Sequence, residues 1–294
     1  MSGFWIMLTG ALVATCCGIL GCFLILRRMA LIGDAISHSV LPGIVIAFLV
    51  SGSRDSFFML FGAALIGFVT VFLIQMFQQS GVQNDASIGV VFTSMFAAGV
   101  LLVSLNAQQV DLDLDCVLYG EIAYVQWNPL ILGGVELGPK AVWLLGITLF
   151  IIVALIGLFY KQFKICAFDP ALAAAIGIPV ALFHYVLMGL VSMATVSSFE
   201  SVGAILVVGL LIVPPSAAYL LTDRLGTMIG LSVVIGVISS VAGYYVAAML
   251  DASIAGCMVC VAGLIFLLAF LFSPSHGFVT RKLRQRASVA GEAY

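Results

Sequence analysis

The sequence predicts an all-α integral membrane protein, a polytopic bundle of about nine transmembrane helices, with eight to ten compatible with the pattern to about one span. Composition is the first reason: of 294 residues, 63% are hydrophobic and 8% charged, against roughly a quarter charged in a soluble domain. A mean hydropathy of +1.26 leaves more apolar surface than a water-soluble fold can bury. Segmentation is the second: apolar blocks alternate with short polar or basic breaks, and a helix needs about 20 apolar residues to cross a hydrocarbon core about 30 Å thick. The third is that the basic residues collect in alternate connections, as they do in multi-spanning proteins.

The first span is expected over Trp5–Leu26. The start, "MSGFWIMLTGALVATCC", has no basic n-region and is long enough to cross, so it is expected to stay as a helix rather than be cleaved. Spans follow over Leu31–Val50, Phe57–Phe77 and Ile88–Leu105. The more polar interval 106–140 has an apolar middle, Cys116–Leu132, interrupted by Gly120, Glu121 and Pro129. A short external or re-entrant helix is expected there rather than a further span. Ala141–Phe159 is the next span, and "KQFKICAFDPALAAAIGIPV", Lys161–Val180, follows it. There Asp169 can cap a short helix at about 168–178, with Pro170 in its first turn and Gly177 ending it before Pro179. Such a helix in a connection suits docking by another protein. Pro179–Val196, Val202–Leu221, Leu225–Leu250 and Ile254–Phe272 complete the spans, with small residues at packing spacing in "GTMIG", Gly226–Gly230. Residues 1–280 read as one transmembrane domain and 281–294 as a basic tail.

Placing the N-terminus outside puts Arg27, Arg28, Lys161, Lys164, Arg224, Arg281, Lys282, Arg284 and Arg286 on the cytoplasmic side. Only Arg54 and Lys140 then face out, the asymmetry that fixes orientation in multi-spanning proteins. With 11 Lys plus Arg and a net charge of −2, nucleic acid is excluded as a partner. The seven cysteines lie mostly in apolar runs and are expected to pack as small hydrophobes; Cys257 and Cys260 form a CxxC without the second pair of a zinc or cluster site. No GxxxxGK[ST] loop is present, so any ATP hydrolysis belongs to another subunit.

Three constellations could carry chemistry. Asp34 and His38 stand at i and i+4, on one face of a helix. On an unbroken helix from Arg28, at about 1.5 Å per residue, His38 lies about 15 Å up, near the membrane centre. Carboxylate oxygen and imidazole nitrogen together suit a borderline divalent cation such as Mn²⁺, Zn²⁺ or Fe²⁺. The alternative is that Asp34 caps the helix and His38 satisfies a carbonyl. In "SSFESVGAILVVGLLIVPPSAAYLL", Ser197–Leu221, Pro214 and Pro215 free the carbonyls near Leu210 and Leu211, which makes a cavity wall or a hinge. Glu200, at the outer end, either caps that helix or lies on the route by which an ion enters. The acidic run Asp111–Asp115 could attract cations but reads first as a solvated loop. His184 reads as a packed or bundle-facing residue and His276 as a loop histidine.

The runs "LRRMALIGDAISHSVLPGI", "LYGEIAYV", "FDPALAAAIGIPV" and "VGAILVVGLLIVPPSAAYLL" resemble the membrane permeases of the manganese/zinc/iron ABC importer family, and the resemblance covers nearly the whole chain. It implies a type II-like permease in a bacterial plasma membrane, paired with a second copy or a paralogue. It also implies two cytoplasmic ATP-binding subunits that hydrolyse ATP, and an extracytoplasmic metal-binding protein that delivers the ion. By that resemblance Asp34 and His38 are metal ligands in the translocation path. Asp169, Pro170, Ala171, Leu172, Ala173, Ala174, Ala175, Ile176 and Gly177 form the coupling helix that docks on the ATPase. Glu200 has no role that carries over. The motifs resemble the manganese branch more than the zinc branch, while ligand type alone leaves Zn²⁺ and Fe²⁺ open. The rival from another class is an ion- or proton-coupled secondary transporter, which would also use intramembrane Asp and His but would give the "FDPALAAAIG" helix no partner. A membrane-embedded metalloenzyme such as an intramembrane protease ranks last, because the sequence has no HExxH or comparable catalytic motif.

Overall fold

The computed structural model describes residues 2–51, 56–105, 122–127, 129–132 and 135–273. Among these, nine helical stretches are long and apolar enough to cross a membrane. Helix α1 (Ser2–Leu26) is apolar on every side, as a helix enclosed by others must be. It lies at the centre, packed along α11 (Leu225–Leu250) and α10 (Ala204–Leu221), with α6 (Lys140–Leu158) and α9 (Val180–Val202) on its other sides. Cys16, Cys17, Leu20 and Phe23 are buried in that core, and the Ser232 hydroxyl of α11 donates to the Gly18 carbonyl at 3.2 Å. Cys22 and Cys166 are buried as well, whereas Cys260 on α12 (Ile254–Phe272) is exposed and Cys257 half-buried.

Helix α1 closes in a Schellman turn: the Arg28 N–H donates to Ile25 O and the Met29 N–H to Leu24 O, both at 2.9 Å. This puts Arg28 in the left-handed region, φ 57°, where glycine is usual and a side chain costs about 1 kcal/mol.

The span expected over Leu31–Val50 is present as Leu31–Ser51, interrupted at Val40 into two helices, α2 (Leu31–Ser39) and α3 (Leu41–Ser51). The physical reason is Pro42, which cannot donate to the His38 carbonyl and whose ring crowds the preceding turn. At the break the Val40 carbonyl accepts from both Gly43 N, at 2.9 Å, and Ile44 N, at 3.1 Å. Helices α4 (Ser56–Gln79) and α5 (Asn84–Leu105) pack against this broken span.

Of the segment Cys116–Leu132, where a short external or re-entrant helix is expected, the described residues are 122–127 and 129–132. They form a 3-10 turn (Ile122–Trp127) and an antiparallel hairpin, β1 (Pro129–Leu132) with β2 (Val135–Pro139), whose register pairs Leu132 with Val135 and Ile131 with Glu136. Two short apolar runs separated by Gly133-Gly134 are a hairpin signature, and it outweighs the apolar content. Asp111–Asp115, His276 and the tail 281–294 lie outside the described residues.

Helix α7 (Tyr160–Phe168) buries Phe163, Cys166 and Ala167 and leads to α8 (Pro170–Ala175). The Asp169 carboxylate accepts from Leu172 N–H at 3.0 Å, and Gly177, φ 83°, ends the helix as Ile178 N–H reaches Ala173 O at 3.0 Å. The cap, the N1 proline and the terminal glycine thus make a six-residue helix that local sequence alone defines.

Helix α10 is continuous through Pro214 and Pro215, and both are buried. The two prolines still remove the amides that would have bonded Leu210 and Leu211. Helix α1 covers that spot, because Gly21 approaches so closely that a Cβ there would overlap the Leu211 carbonyl oxygen and lie 2.7 Å from Pro215 Cγ. Between α9 and α10 the chain turns at Gly203, φ 79°. Glu200 therefore belongs to the last turn of α9, and the N-cap of α10 is Gly203.

Candidate metal site

Helix α2 is short and amphipathic, burying Ile32, Gly33, Ala35, Ile36, Ser37 and Ser39 while leaving Asp34 and His38 on its open side. Its hydroxyls are spent locally: Ser37 Oγ donates to Gly33 O at 2.9 Å and Ser39 Oγ to Ile36 O at 3.1 Å. Gly33 seats the helix on α10, since a Cβ there would overlap Cδ2 of Leu211. Leu211 therefore touches α1 through its carbonyl and α2 through its side chain.

Asp34 Oδ1 and His38 Nε2 are 3.5 Å apart. The two groups that the i, i+4 spacing brings to one face thus meet, at a separation that a cation bound between them would bridge. The His38 ring is held by two aromatic rings of α5, Phe92 with centroids 5.4 Å apart and Phe96 at 6.1 Å. Residues 92 and 96 are themselves one turn apart, so α5 presents a clamp that fixes the imidazole. The spacing in "FTSMF" was visible in the sequence but gave no sign of which helix it would face. Pro42, by removing the amide one turn on, leaves the His38 carbonyl without its helical donor, a further oxygen beside the imidazole.

Exposure decides what this face is for. In the single chain the Asp34 side chain is 41% exposed and that of His38 28%, within a span eight residues or less from its Leu31 end. A carboxylate turned toward lipid is costly, so such groups face a partner or a water-filled path. Among the described residues no third His, Cys, Asp or Glu joins the pair. A metal ion held by this pair would need further donors from outside it.

Residues 3–273 match the profile of the ABC 3 transport family. The chain belongs to that family. It is 55% identical over 280 residues to the manganese transport system membrane protein MntD of Bacillus subtilis, with 95% of both chains covered. It is 42% identical over 283 residues to the zinc transport system membrane protein TroD of Treponema pallidum, covering 96% of this chain and 77% of that one. Among solved structures it resembles PsaBC from Streptococcus pneumoniae in complex with Fab, with TM-score 0.78, 31% identity, and 96% and 94% of the two chains covered.

Within this ABC 3 family fold the other sequence-derived candidates lie apart from Asp34 and His38. Pro214 and Pro215 are buried in α10 and meet the site only through Leu211. Glu200 sits in α9, its side chain outside what is described. Asp169 to Gly177 form the exposed turn around α8. His184 is not near the pair: its Nδ1 is 3.2 Å from Arg27 Nη1. A guanidinium can only donate, so that nitrogen accepts and the imidazole is neutral. No feature of the sequence marks this contact, because 157 residues separate the two groups.

Proposed function

We propose that this chain forms, as a dimer, the transmembrane path of an ATP-driven importer for a divalent transition-metal ion, Mn²⁺, with ATP hydrolysed in separate subunits. The observation that carries the reading is the Asp34–His38 pair at 3.5 Å on an exposed face of a spanning helix. The carboxylate offsets part of the charge of an ion that has shed water, and the imidazole adds a nitrogen donor. Mn²⁺ favours six ligands rich in oxygen, so a second copy, carbonyls and water complete the shell. This is also why the face is turned to a partner. The name of the Bacillus relative supports Mn²⁺.

The Treponema relative, named for zinc, favours a second reading, since N/O sites bind Zn²⁺ more tightly than Mn²⁺ at equal geometry. Uptake of labelled Mn²⁺ by vesicles holding the complete transporter separates the two. The expected result is ATP-dependent uptake that a several-fold excess of Zn²⁺ inhibits without itself being carried at a comparable rate. Zn²⁺ accumulation faster than that of Mn²⁺ would transfer the assignment to zinc, and uptake without ATP would favour a secondary transporter.

The orientation that collects the basic connections inside places α8 in the cytoplasm, with the N-terminus out, the C-terminus in and an extracytoplasmic protein delivering the ion. Phe168, Leu172 and Ile176, in and beside α8, are 54%, 52% and 57% exposed there, apolar side chains in water that ask for a protein cover. We assign Asp169–Gly177 to the contact with the ATPase subunit, and Pro214 and Pro215 to the element that moves when α8 is pushed. Leu172→Glu is expected to lower co-purification of the ATPase and uptake by more than tenfold, because it introduces an unpaired charge at a desolvated contact, while the chain keeps its melting temperature. Undiminished co-purification would place the ATPase elsewhere.

A further inference from the structure

A second polar cluster lies where α1, α4, α7 and α9 converge beside the first turn of α8. These elements enclose a cavity of about 500 Å³, with Arg27, Arg28, Gln75 and His184 among apolar residues such as Leu26 and Val180. The chemistry of its polar walls is one-sided. Arg27 Nη1 engages His184, a neutral acceptor that leaves the arginine charge uncompensated. Arg27 Nε and Nη2 are both buried and make no hydrogen bond, and neither does the buried Oε1 of Gln75. Nε and Nη2 form the edge of a guanidinium that grips an oxyanion with two parallel bonds.

Among the described residues no carboxylate lines this cavity. Asp169, next in sequence to the lining residue Pro170, is engaged with Leu172 N–H. Among the described residues the one ion pair is that of Asp34 with His38. A buried guanidinium paired only with a neutral ring is costly, so the cavity is built for an anion from outside the chain. Arg27 lines it, and rotation about the side-chain torsions of its long stem turns the unpaired edge into it.

The surroundings indicate which anion. Met76 beside Gln75 on α4 and Leu182 beside Ala181 on α9 are exposed, so the cavity's rim runs on into the apolar outer surface of the bundle. Arg28, exposed, lines the cavity, and α7, which contributes Cys166 and Ala167 to its wall, also carries the exposed Lys161 and Lys164. Apolar walls continuous with the lipid-facing surface, meeting a basic rim at the end of the spans, describe the level of the phospholipid head groups.

We propose that this cavity binds the phosphate-bearing head group of an anionic glycerophospholipid. Arg27 presents its Nε–Nη2 edge to the phosphate oxygens, and Arg28 adds a second positive charge at the rim. The site lies in the cytoplasmic leaflet if the orientation above holds, but binding itself requires only that the chain span a bilayer. Its test is therefore independent of metal and ATPase.

The full chain is reconstituted in nanodiscs of phosphatidylglycerol mixed with phosphatidylcholine, and the lipid retained after extraction and gel filtration is quantified by mass spectrometry. Phosphatidylglycerol is expected to be enriched over its bulk fraction and to raise the melting temperature in detergent, which phosphatidylcholine does not. Arg27→Gln is expected to reduce the enrichment by more than tenfold. Arg28→Gln, at an exposed position that does not threaten folding, is expected to reduce it by about fivefold, the value of about 1 kcal/mol per basic residue near an anionic surface. Inorganic phosphate added alone is the control for the same oxyanion chemistry. If phosphate gives the full stabilisation and lipid none, the ligand is the free ion and the lipid assignment falls. Absence of enrichment in the wild-type chain, or equal enrichment in wild type and Arg28→Gln, overturns the site.

Discussion

Asp34→Asn is expected to abolish most Mn²⁺ uptake while leaving the protein folded. The substitution keeps the size and one oxygen donor of the side chain but removes the charge that offsets the ion's. Even groups that only hold a metal ligand in place cost about 10–100-fold in affinity when removed, so loss of the charged ligand itself is expected to cost at least about 100-fold. The effect on stability is expected to be small for a reason visible in the geometry. Asp34 is 41% exposed and stands 3.5 Å from His38, and ion pairs of that kind contribute about 0–1 kcal/mol. His38→Ala is expected to match the loss of uptake and to cost somewhat more stability, because the imidazole also packs between Phe92 and Phe96. The measurement is labelled uptake set beside the melting temperature of each variant. Wild-type uptake in both folded variants would sink the assignment of this pair.

That pair was legible in the sequence because helical periodicity is local: i and i+4 share a face whatever the rest of the chain does. The same holds for Asp169, Pro170 and Gly177, whose capping roles follow from neighbours within one turn. The spans were legible because length and apolarity are themselves local. What could not be read was the set of contacts that give these pieces a context. Pro42 interrupts the second span, and sequence does not show whether a proline inside an apolar run kinks a helix or ends one. Phe92, Phe96 and the Arg27–His184 contact depend on which helices become neighbours, and an apolar surface in a membrane protein carries little periodic signal to say so. The pairing of Pro129–Leu132 with Val135–Pro139 depends on two runs meeting across Gly133 and Gly134, which the apolar content of either run does not reveal.

The double proline illustrates the same limit and leads to the other large expected effect. Sequence alone shows that Pro214 and Pro215 free two carbonyls but not what receives them. The structure brings the Gly21 Cα of α1 against the Leu211 carbonyl oxygen, a close approach of the kind that Cα–H···O contacts allow and that a membrane interior makes valuable. Gly21→Ala is therefore expected to destabilise the chain by about 1–3 kcal/mol, the range for overpacking a close-packed interior, and Gly21→Val by more. The upper end is expected because the opposing atom is backbone, which cannot rotate away, and because displacing α1 strands the carbonyl in hydrocarbon. Gly33→Ala meets only the tip of the Leu211 side chain and is expected to cost less. Gly146→Ala, in open space on α6, is expected to be neutral or to gain up to about 1 kcal/mol from helix propensity. Thermal midpoints of the three alanine variants in one detergent give the ordering. If Gly21→Ala melts with Gly146→Ala, the Leu211 carbonyl is not held by α1, and Leu211 does not link the packing of α1 to the helix that carries Asp34 and His38.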